Sequence, residues 1–512
     1  MKKKYIKYTG IFLLGMGVLG SCKKSFLETT PKGEFAETDY YQTPDQAFAG
    51  LAAAYDPLVT ETGGLDGTYT DPLGPLNSAS DDCFAGGGGP TDTNDWQVWN
   101  NYTLTSSVGP QQGFWPINFL GVSRANTILS KLNGVPGLSA ALQKQYTAEA
   151  LFLRAHYYFD LERLFKNVPL ITTPLLPADI YNQPQAKPAD VYAQIETDLT
   201  TAIPNLPATV PATEDGRVTQ GAAIALLGKV YLYEQKWAQA VTEFALVNGP
   251  SPSATSVTPI YGYKLQTNFG SIFSPDNKFN SEAVFEITHT ATQAYTWNNW
   301  NTFKGDVYVQ MVGPRDYAGP VYAGGWGFNP ITTELYSAFT AGGVQDPRYG
   351  YTILNMDSLV KAQNTTYTPS YQNTGYFMVK YAPLTKYKAT QGQVELNYPN
   401  DYIEIRLADT YLMEAEALVQ SGANTARAQA LLDAVRTRVG LPSVAVSMTT
   451  IKAERRLELA TEGHRWFDLV RWGDAPTVLG FKGFKAGTNE ILPIPLTDLS
   501  NTKLVQNPGY SK

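Results

Sequence analysis

Apolar residues recur along this chain with a regular helical spacing in some segments and with no spacing at all in others. Residues 146–165 show the regular spacing most clearly, because apolar side chains return there every three or four positions on two stripes. Two stripes predict a helix packed between neighbours rather than one lying on a surface. The first stripe is Ala150, Leu153, Tyr157, Leu161 and Leu164, and the second is Leu151, Ala155, Tyr158 and Phe165.

Two further segments have the spacing of a tetratricopeptide helical hairpin. In the first, Leu227, Gly228 and Tyr231 precede Ala240 and Phe244. A weaker copy begins at Leu407, Ala408 and Tyr411 and continues into a helix around Ala428 and Leu432. Because about 180 residues separate the copies, the pattern predicts several packed hairpins with long insertions rather than a tandem array.

The insertions are polar segments that are rich in Gly, Asp, Asn and Thr. They cover residues 61–113, which include GGGG at 86–89, and residues 250–330 and 340–400. Loops of this length in a compact protein are functional or disordered. Scattered Tyr and Trp residues favour a function, and we predict a mainly α-helical protein whose loops carry the ligand surface.

The amino terminus has the features of a bacterial lipoprotein signal. Lys2, Lys3, Lys4 and Lys7 precede the apolar run 11–19, which is too short to span a membrane. The run ends in Leu-Gly-Ser-Cys, which resembles a lipobox, so residues 1–21 are predicted to be removed and Cys22 to carry the acyl chains. Each acyl CH₂ adds about 0.8 kcal/mol of membrane affinity. The alternative is an ordinary cleavage site that a cysteine follows by chance.

Charge and side-chain chemistry exclude several classes of function. The net charge is −7, and the basic signal makes the remainder more acidic, which argues against nucleic acid and against electrostatic binding to anionic lipid. If Cys22 is acylated, Cys83 has no other cysteine in the chain with which to form a disulfide. The fold must then be stabilised by its hydrophobic core. His156, His289 and His464 are far apart and do not have zinc-ligand spacing.

Several stretches together resemble the SusD/RagB family of outer-membrane nutrient-binding lipoproteins. They are EALFLRAHYYFDLERLFKNVPL (149–170), GRVTQGAAIALLGKVYLY (216–233), DYIEIRLADTYLMEAEAL (401–418), ERRLELATEGHRWFDLVRWG (454–473) and ILPIPLTDLSNTKLVQNPGY (491–510). They occur in family order over nearly all of the chain after Cys22. The resemblance implies a SusD-like domain at 22–512, with an N-terminal part at about 22–270 and a C-terminal part at about 271–512.

The resemblance also implies a function. It predicts tetratricopeptide-like hairpins with small β elements, a lipid-anchored protein on the outer face of the outer membrane, and no enzymatic activity. Its partner would be a SusC-like TonB-dependent transporter, to which it delivers captured glycan. A surface binder of peptides or of another nutrient is the first alternative, and a surface glycoside hydrolase is the second.

The acidic and basic side chains of residues 454–473 have a structural interpretation. On one helix, Glu458 would meet Arg455 and Glu462 would meet Arg465 at i,i+3 spacing, and Trp466, Phe467 and Leu469 would face the core. Catalysis by His464 beside Glu462 would need a partner base and a pocket. Asp81 and Asp82 are adjacent, and structural roles are favoured over an acid–base pair.

Sugar binding needs aromatic faces for the C–H surface of a pyranose and polar side chains for its hydroxyls. Three loop segments combine both. We predict that these residues form the glycan site: Asn94, Trp96, Trp99, Asn101 and Tyr102; Tyr295, Trp297, Asn298 and Trp300; Arg315, Tyr322 and Trp326. Replacing Trp96 or Trp297 by Ala is then expected to lower affinity without unfolding, whereas Trp96 or Trp99 could instead pack beneath its own loop.

Metal and cofactor needs are the least determined by the sequence. No cofactor is predicted and no metal-ligand set is assigned. Oxygen-rich positions such as Asp92 to Asp95 could supply ligands to a structural calcium ion, although EF-hand spacing is absent. Trp115, Trp237, Trp466 and Trp472 lie in or beside helical motifs and are assigned to structure.

Overall fold

The computed structural model of this protein describes residues 40–63, 71–299, 303–500 and 502–511. In that part, helices dominate and four short strands join them, which confirms the predicted mainly α fold with small β elements. Cys22 and the signal, residues 1–21, lie outside the described residues, and their assignment stays a prediction. The division of the domain at about residue 270 is also a prediction that nothing here tests.

The elements occur in the following order. The first half contains α1 (Pro44–Thr62), α2 (Leu73–Ala79), α3 (Asn94–Asn100), α4 (Gln111–Lys131), α5 (Ala140–Phe165), α6 (Pro188–Ala202), α7 (Gln220–Tyr233) and α8 (Trp237–Asn248). The middle contains β1 (Ala283–Ile287), α9 (Tyr308–Val312), α10 (Thr333–Phe339), α11 (Tyr349–Thr352), β2 (Ile353–Asn355), α12 (Met356–Gln363) and β3 (Tyr376–Met378). The last part contains β4 (Tyr402–Arg406), α13 (Leu407–Ser421), α14 (Thr425–Arg438), α15 (Met448–Glu458), α16 (His464–Arg471), α17 (Ala475–Val478) and α18 (Leu496–Leu499).

Helix α5 is the buried helix that the two apolar stripes predict. Both stripes are buried, and α5 packs against α4 on one side and α6 on the other. The helix begins earlier than the apolar pattern, at Ala140, because the Ser139 hydroxyl caps it by accepting the Leu142 N–H at 3.2 Å. The prediction of a helix enclosed by its neighbours is confirmed.

The two hairpin copies are neighbours in space although they are distant in sequence. Helices α7 and α8 form the first copy, and α13 and α14 form the second. A Cβ atom at Gly228 would lie 2.8 Å from the Phe244 ring, so the missing side chain lets α7 and α8 approach closely. Helix α8 also packs against α13, which joins the two hairpins into one helical scaffold.

Two antiparallel strand pairs connect the loop-rich segments to this scaffold. Strand β1 pairs with β4, placing Glu286 opposite Ile403, and β4 continues directly into α13. Strand β2 pairs with β3, placing Ile353 opposite Met378. Strands β1, β2 and β3 lie in the predicted insertions, whereas β4 directly precedes α13, so the pairing of β1 with β4 attaches one insertion to the helical scaffold.

Segment 61–113 is far less peripheral than its composition predicts. Helices α2 and α3 lie within it, and most of their side chains are buried. Its backbone forms β-bridges from Cys83 to Ile331 and from Gly86 to Phe328. The Thr332 hydroxyl donates to the Asp81 carbonyl oxygen at 2.7 Å. This insertion is therefore part of the core.

Beneath the strand pair β1–β4 lies a buried group of charges that we call the ionic core. Arg406 binds Glu282 at 2.8 Å, Glu458 at 2.6 Å and Glu462 at 2.7 Å. Arg348 binds Glu458 at 2.9 Å, and Lys380 binds Glu462 at 2.5 Å. The full group has four cations and five carboxylates, all buried: Arg348, Lys380, Arg406, Arg438, Glu282, Asp346, Glu454, Glu458 and Glu462.

The ionic core corrects the predicted charge pairs of residues 454–473. One helix does not cover this stretch, because α15 ends at Glu458 and a turn with Thr461 and Gly463 at positive φ precedes α16. Arg455 consequently binds Asp409 at 2.7 Å and Asp468 at 2.9 Å, and Arg465 binds Asp81 at 2.7 Å. The i,i+3 pairs are wrong, whereas the buried Trp466, Phe467 and Leu469 confirm the core-facing prediction.

Burial and ion pairing act in opposite directions on the carboxylates of the ionic core. Burial would raise the pKa of Glu458, but the neighbouring Arg438, Arg406 and Arg348 hold it well below its usual range. The pKa of Glu462 is lowered in the same way, against burial, by Arg406 and Lys380. Both carboxylates are thus ionised and matched by cations.

Candidate functional site

The first predicted sugar cluster is buried, and this contradicts its assignment as an aromatic platform. Trp96 and Trp99 are each 0% exposed, and Tyr102 is 4% exposed and donates its hydroxyl to the Ala79 carbonyl oxygen at 2.5 Å. Asn94 and Asn101 at the ends of α3 are exposed. A ring without solvent contact cannot stack on a sugar, so the prediction for these three aromatic residues is wrong in this structure.

Close packing against a glycine explains the burial of Trp96. A Cβ atom at Gly74 would lie 2.0 Å from the Trp96 indole, so this ring occupies the space that a side chain on α2 would fill. The Trp96 ring also meets Phe328 edge-on at 5.2 Å between centroids. Trp99 meets Trp466 at 5.1 Å, which ties α3 to α16. Trp96 and Trp99 therefore pack in the core, in line with the alternative that these rings lie beneath their own loop.

The second cluster is divided between the core and the surface. Tyr295 is buried, and its backbone N–H donates to the Asn397 Oδ1 at 3.0 Å. Trp297 begins a short 3₁₀ turn, Trp297–Asn299, and the Trp297 residue is 40% exposed. Asn298 is exposed as well. Trp300 lies outside the described residues. Of the two described aromatic residues of this cluster, Trp297 has the more exposed ring.

The third cluster lies at a surface cleft of about 250 Å³, which we call the Arg315 cleft. Arg315 and Trp326 are both half-buried in its wall, and Tyr322 is half-buried farther along the same segment. Its lining residues come from two distant parts of the chain: Asp92, Thr93, Arg315, Asp316, Gly325, Trp326 and Phe328. Three of the predicted site residues, Arg315, Tyr322 and Trp326, are therefore on one accessible segment.

Glycines allow the chain to fold back on itself at this cleft. The Gly325 N–H donates to the Pro314 carbonyl oxygen at 2.8 Å, and the Gly327 N–H donates to the Gly313 carbonyl oxygen at 2.8 Å. A Cβ atom at Gly325 would lie 2.4 Å from the Gly313 Cα, so a side chain here would separate the two strands of this turn. The fold-back sets Trp326 beside Arg315.

Two residues that line the cleft have left-handed backbone conformations. Thr93 has φ 45° and Asp316 has φ 52°, and left-handed conformations are unusual for residues other than glycine, above all for a β-branched one. Such strain concentrates at ligand-binding sites, where the surrounding structure maintains it. Thr93 and Asp316, which both line the cleft, are therefore consistent with a site whose shape the fold maintains.

Arg315 differs from the other half-buried and buried arginines in having no internal partner. Within the described part of the chain, its guanidinium forms neither an ion pair nor a hydrogen bond. The Asp92 carboxylate accepts the Gly88 N–H at 2.6 Å, and Asp316 is exposed. The cleft thus offers five N–H donors beside an indole ring and two carboxylates.

The residues that sequence reasoning missed here are Asp92 as a wall residue, Thr93, Asp316 and Phe328. Asp92 and Thr93 follow the GGGG of residues 86–89, whose backbone reaches the cleft through the bridge from Gly86 to Phe328. The arginine–aspartate pair at 315–316, set among glycine and proline, was the available signal. No pattern in the sequence joins it to residue 92.

The acid pair considered for catalysis is part of the scaffold. Asp81 and Asp82 are buried and bind arginines, with Arg465 at 2.7 Å from Asp81 and Arg456 at 2.9 Å from Asp82. Burial raises the pKa of Asp82, whereas the arginines lower that of Asp81. Burial also lowers the pKa of His464. These groups support packing rather than acid–base chemistry.

Neither a cluster of metal-ligating side chains nor a membrane-crossing helix is found in the part of the chain that the structure describes. Among residues 40–63, 71–299, 303–500 and 502–511, no three His, Cys, Asp or Glu side chains converge as a metal site would need. The structural calcium ion stays a prediction, since backbone oxygens can also be ligands. No helix in the same ranges combines the length and the apolar character that crossing a bilayer requires.

Family models match two regions of the chain. Residues 281–490 match the model described as "SusD family", and residues 76–232 match the model described as "Starch-binding associating with outer membrane". Over 536 aligned residues the chain is 26% identical to SusD-like protein P38 of Formosa agariphila, and the alignment covers 100% of both chains.

Solved structures show the same fold over nearly the whole chain. A "Laminarin binding SusD-like protein" superposes with a TM-score of 0.86 at 46% identity, covering 92% of this chain and 100% of its own. Surface glycan-binding protein A from Bacteroides thetaiotaomicron, solved in complex with laminarihexaose, superposes with a TM-score of 0.81 at 26% identity, covering 91% and 99%.

Proposed function

Because this chain belongs to the SusD/RagB family, we propose that it captures a neutral glucan of the laminarin type at the Arg315 cleft. The two similar structures described above are named for laminarin binding or contain a laminarin oligosaccharide. Laminarin is a chain of glucose units without charged groups. The capture step would need an aromatic face, hydroxyl-binding side chains and an open groove.

The observation that carries the proposal is the unpartnered guanidinium of Arg315 beside the half-buried indole of Trp326. A pyranose ring can place its C–H face on the indole and direct two neighbouring hydroxyl oxygens to the guanidinium N–H groups. Because the Arg315 guanidinium has no internal hydrogen bond to break, a bound sugar displaces only the water that hydrates the guanidinium. Other arginines of the scaffold, such as Arg406, are already bound to carboxylates.

The charges around Arg315 support a neutral ligand over an anionic one. Asp92 and Asp316 lie on the cleft wall with Arg315, so a uronate or sulfate would meet two carboxylates near its one cation. The hydroxyls of a neutral glucan, in contrast, can donate to the carboxylates and accept from the guanidinium. This balance favours a polyhydroxyl ligand without charge.

Location and partner belong to the same proposal. The matched family model describes association with the outer membrane. We propose further that Cys22 is the lipid anchor, that the ligand surface faces the outside of the cell, and that a SusC-like TonB-dependent transporter receives the glucan. Capture and release involve no bond cleavage, so the proposed protein is a binder and not an enzyme.

The test is titration of residues 23–512 with laminarihexaose in a calorimeter. Arg315→Ala is expected to lower affinity about 10- to 100-fold, because hydrogen bonds from a charged group contribute about 1.5–3 kcal/mol. Trp326→Ala and Trp297→Ala, which remove stacking faces, should each lower it about three- to tenfold. All three variants should keep the wild-type unfolding temperature, since the side chains are partly exposed.

Two controls sharpen this test. Trp237→Ala changes a tryptophan of the helical scaffold, distant in sequence from both loops, and should bind laminarihexaose like wild type if the fold is intact. Oligogalacturonate, an anionic glycan, should bind at least tenfold more weakly than laminarihexaose. Wild-type affinity in Arg315→Ala would overturn the assignment of the site, and binding of peptides but not glycans would favour the alternative nutrient.

A further inference from the structure

A partly exposed loop, residues 383–388, which contains the 3₁₀ turn Thr385–Tyr387, lies against the segment that carries Tyr322. The Ala323 N–H donates to the Pro383 carbonyl oxygen at 2.7 Å, and the Thr385 N–H donates to the Val321 carbonyl oxygen at 2.9 Å. These bonds form a short antiparallel bridge between Tyr322 and Leu384. The position of Tyr322 therefore depends on where this loop is held.

The other side of the loop is fastened to a single carboxylate. Asp276 accepts the Lys386 ammonium at 2.7 Å and the Tyr387 hydroxyl at 2.6 Å. The Tyr387 hydroxyl also lies 3.0 Å from the Ser274 Oγ, and the Lys386 Nζ lies 4.3 Å from the centre of the Tyr387 ring. Hydrogen bonds from Lys386 and Tyr387 lower the pKa of Asp276, which stays ionised.

The turn that carries Asp276 is itself well anchored. The Asp276 N–H donates to the Ser274 Oγ at 3.3 Å, and the Asn277 amide donates to the Ser271 carbonyl oxygen at 3.0 Å. Phe273 packs against the buried Tyr381 with 5.6 Å between ring centres. The carboxylate thus belongs to a hydrogen-bonded turn beside the buried Tyr381, and its partners lie on the separate turn Thr385–Tyr387.

We propose that Ser274, Asp276, Lys386 and Tyr387, together the Asp276 latch, are positioning residues that hold the Tyr322 segment in the shape required for glucan binding. This inference rests on the proposed function of the Arg315 cleft. A segment that is already held in its bound shape loses less conformational entropy when the ligand arrives, so the latch increases affinity without touching the sugar.

The Asp276 latch predicts that the affinity for a neutral ligand depends on the salt concentration. Asp276 and Lys386 are 66% and 58% exposed, so their attraction is screened by dissolved ions. The screening length falls from about 10 Å at 0.1 M to about 3 Å at 1 M ionic strength. An uncharged glucan makes no ion pair of its own, and the salt dependence therefore reports the latch.

The experiment is calorimetric titration of laminarihexaose into wild type, Asp276→Ala, Tyr387→Phe and Asp474→Ala at 0.1 M and 1 M NaCl. Asp474 forms a partly exposed ion pair with Lys452 at 2.6 Å on the helical scaffold and serves as the control. Hydrogen–deuterium exchange of the Ala323 and Thr385 amides is measured in the same samples, because these amides hold the loop to the Tyr322 segment.

The expected result separates the variants in both readouts. Wild type and Asp474→Ala should bind about two- to threefold more weakly at 1 M than at 0.1 M NaCl. Asp276→Ala should bind about three- to fivefold more weakly than wild type at 0.1 M, in the range measured for exposed ion pairs, and show no salt dependence. Tyr387→Phe should lie between them, and both amides should exchange faster in Asp276→Ala.

Each other result has one meaning. Wild-type affinity and wild-type exchange in Asp276→Ala would overturn the latch. Faster exchange with unchanged affinity would overturn its role in binding. If wild type fails to bind laminarihexaose, the proposed function fails, and the exchange rates alone then decide whether the latch holds the loop.

Discussion

The ionic core and the Arg315 cleft use the same kind of side chain in opposite ways. Arg406 is buried and binds three carboxylates, whereas Arg315 is half-buried and binds none within the described residues. A fully paired arginine fixes the elements around it and has no capacity left for a ligand. An unpaired arginine in a cleft contributes little to the fold and keeps its donors for a partner from outside.

Residues 454–473 and the Arg315 cleft show the same contrast between paired and unpaired charges. Residues 454–473 are one of the stretches that carry the family resemblance, yet their charged side chains pair within the ionic core and with Asp81, Asp409 and Asp468. The cleft is built from residues 92–93 and 315–328, where no motif is visible. A conspicuous pattern therefore marks the scaffold here, and the chemistry lies in segments with weak patterns.

The largest effect is expected from breaking the ionic core. Arg406→Met should lower the free energy of unfolding by about 3–5 kcal/mol, because Glu282, Glu458 and Glu462 would stay buried without their shared cation. Urea denaturation of residues 23–512 measures this. Arg315→Met is the matched control and should shift the same free energy by less than about 0.5 kcal/mol. Similar losses in both variants would remove the distinction between the two regions.

A smaller effect is expected at Trp96, which packs against Phe328 of the cleft lining. Trp96→Ala should lower the free energy of unfolding by about 3 kcal/mol, since a buried ring that fills the space above Gly74 would leave a cavity. The partly exposed Trp297→Ala is its control in the same denaturation series. A Trp96→Ala variant with wild-type stability and lost laminarihexaose binding would return Trp96 to the ligand surface.

The smallest effect comes from a buried acid that lacks an arginine. Burial, assisted by Asp401, raises the pKa of Glu286 from 4.5 to about 9. The folded state then keeps a proton that the unfolded state releases, so stability falls as the pH rises from 5 to 8. Glu286→Gln should reduce this fall by more than about 1 kcal/mol in urea denaturation at the two pH values.

Glu458 supplies the contrast for that measurement. Its pKa is lowered by three arginines, so its contribution is present above its unfolded pKa and is lost as the pH falls through its folded value. Glu458→Gln should therefore leave the difference between pH 5 and pH 8 as large as in wild type. Equal pH profiles for Glu286→Gln and wild type would contradict the raised pKa of Glu286.

Regular spacing made the scaffold predictable. The stripes of α5 and the small residues of α7 require burial and close approach, and both requirements follow from residues near one another in sequence. The charge pairs of residues 454–473 were not predictable in this way, since Thr461 and Gly463 interrupt the helix and the true partners lie as far away as Asp81 and Arg348.

Only part of the candidate site was within reach of sequence reasoning. Arg315 and Trp326 were predicted from their residue types in a glycine-rich loop, and they share one cleft. Trp96 was assigned to the surface because its own loop is polar. Its burial depends on Gly74 and Phe328, one upstream and one more than two hundred residues downstream, and no local pattern contains that contact.

The ionic core also joins side chains that are synthesised far apart in time. Arg406 must find Glu282, 124 residues earlier, and Glu458, 52 residues later. Contacts of such separation form slowly, because long loops close before any pairing compensates for the lost chain entropy. A nascent chain that ends before residue 458 holds Arg406 with only part of its partners. The ionic core can therefore be complete only after the chain has been synthesised beyond Glu462.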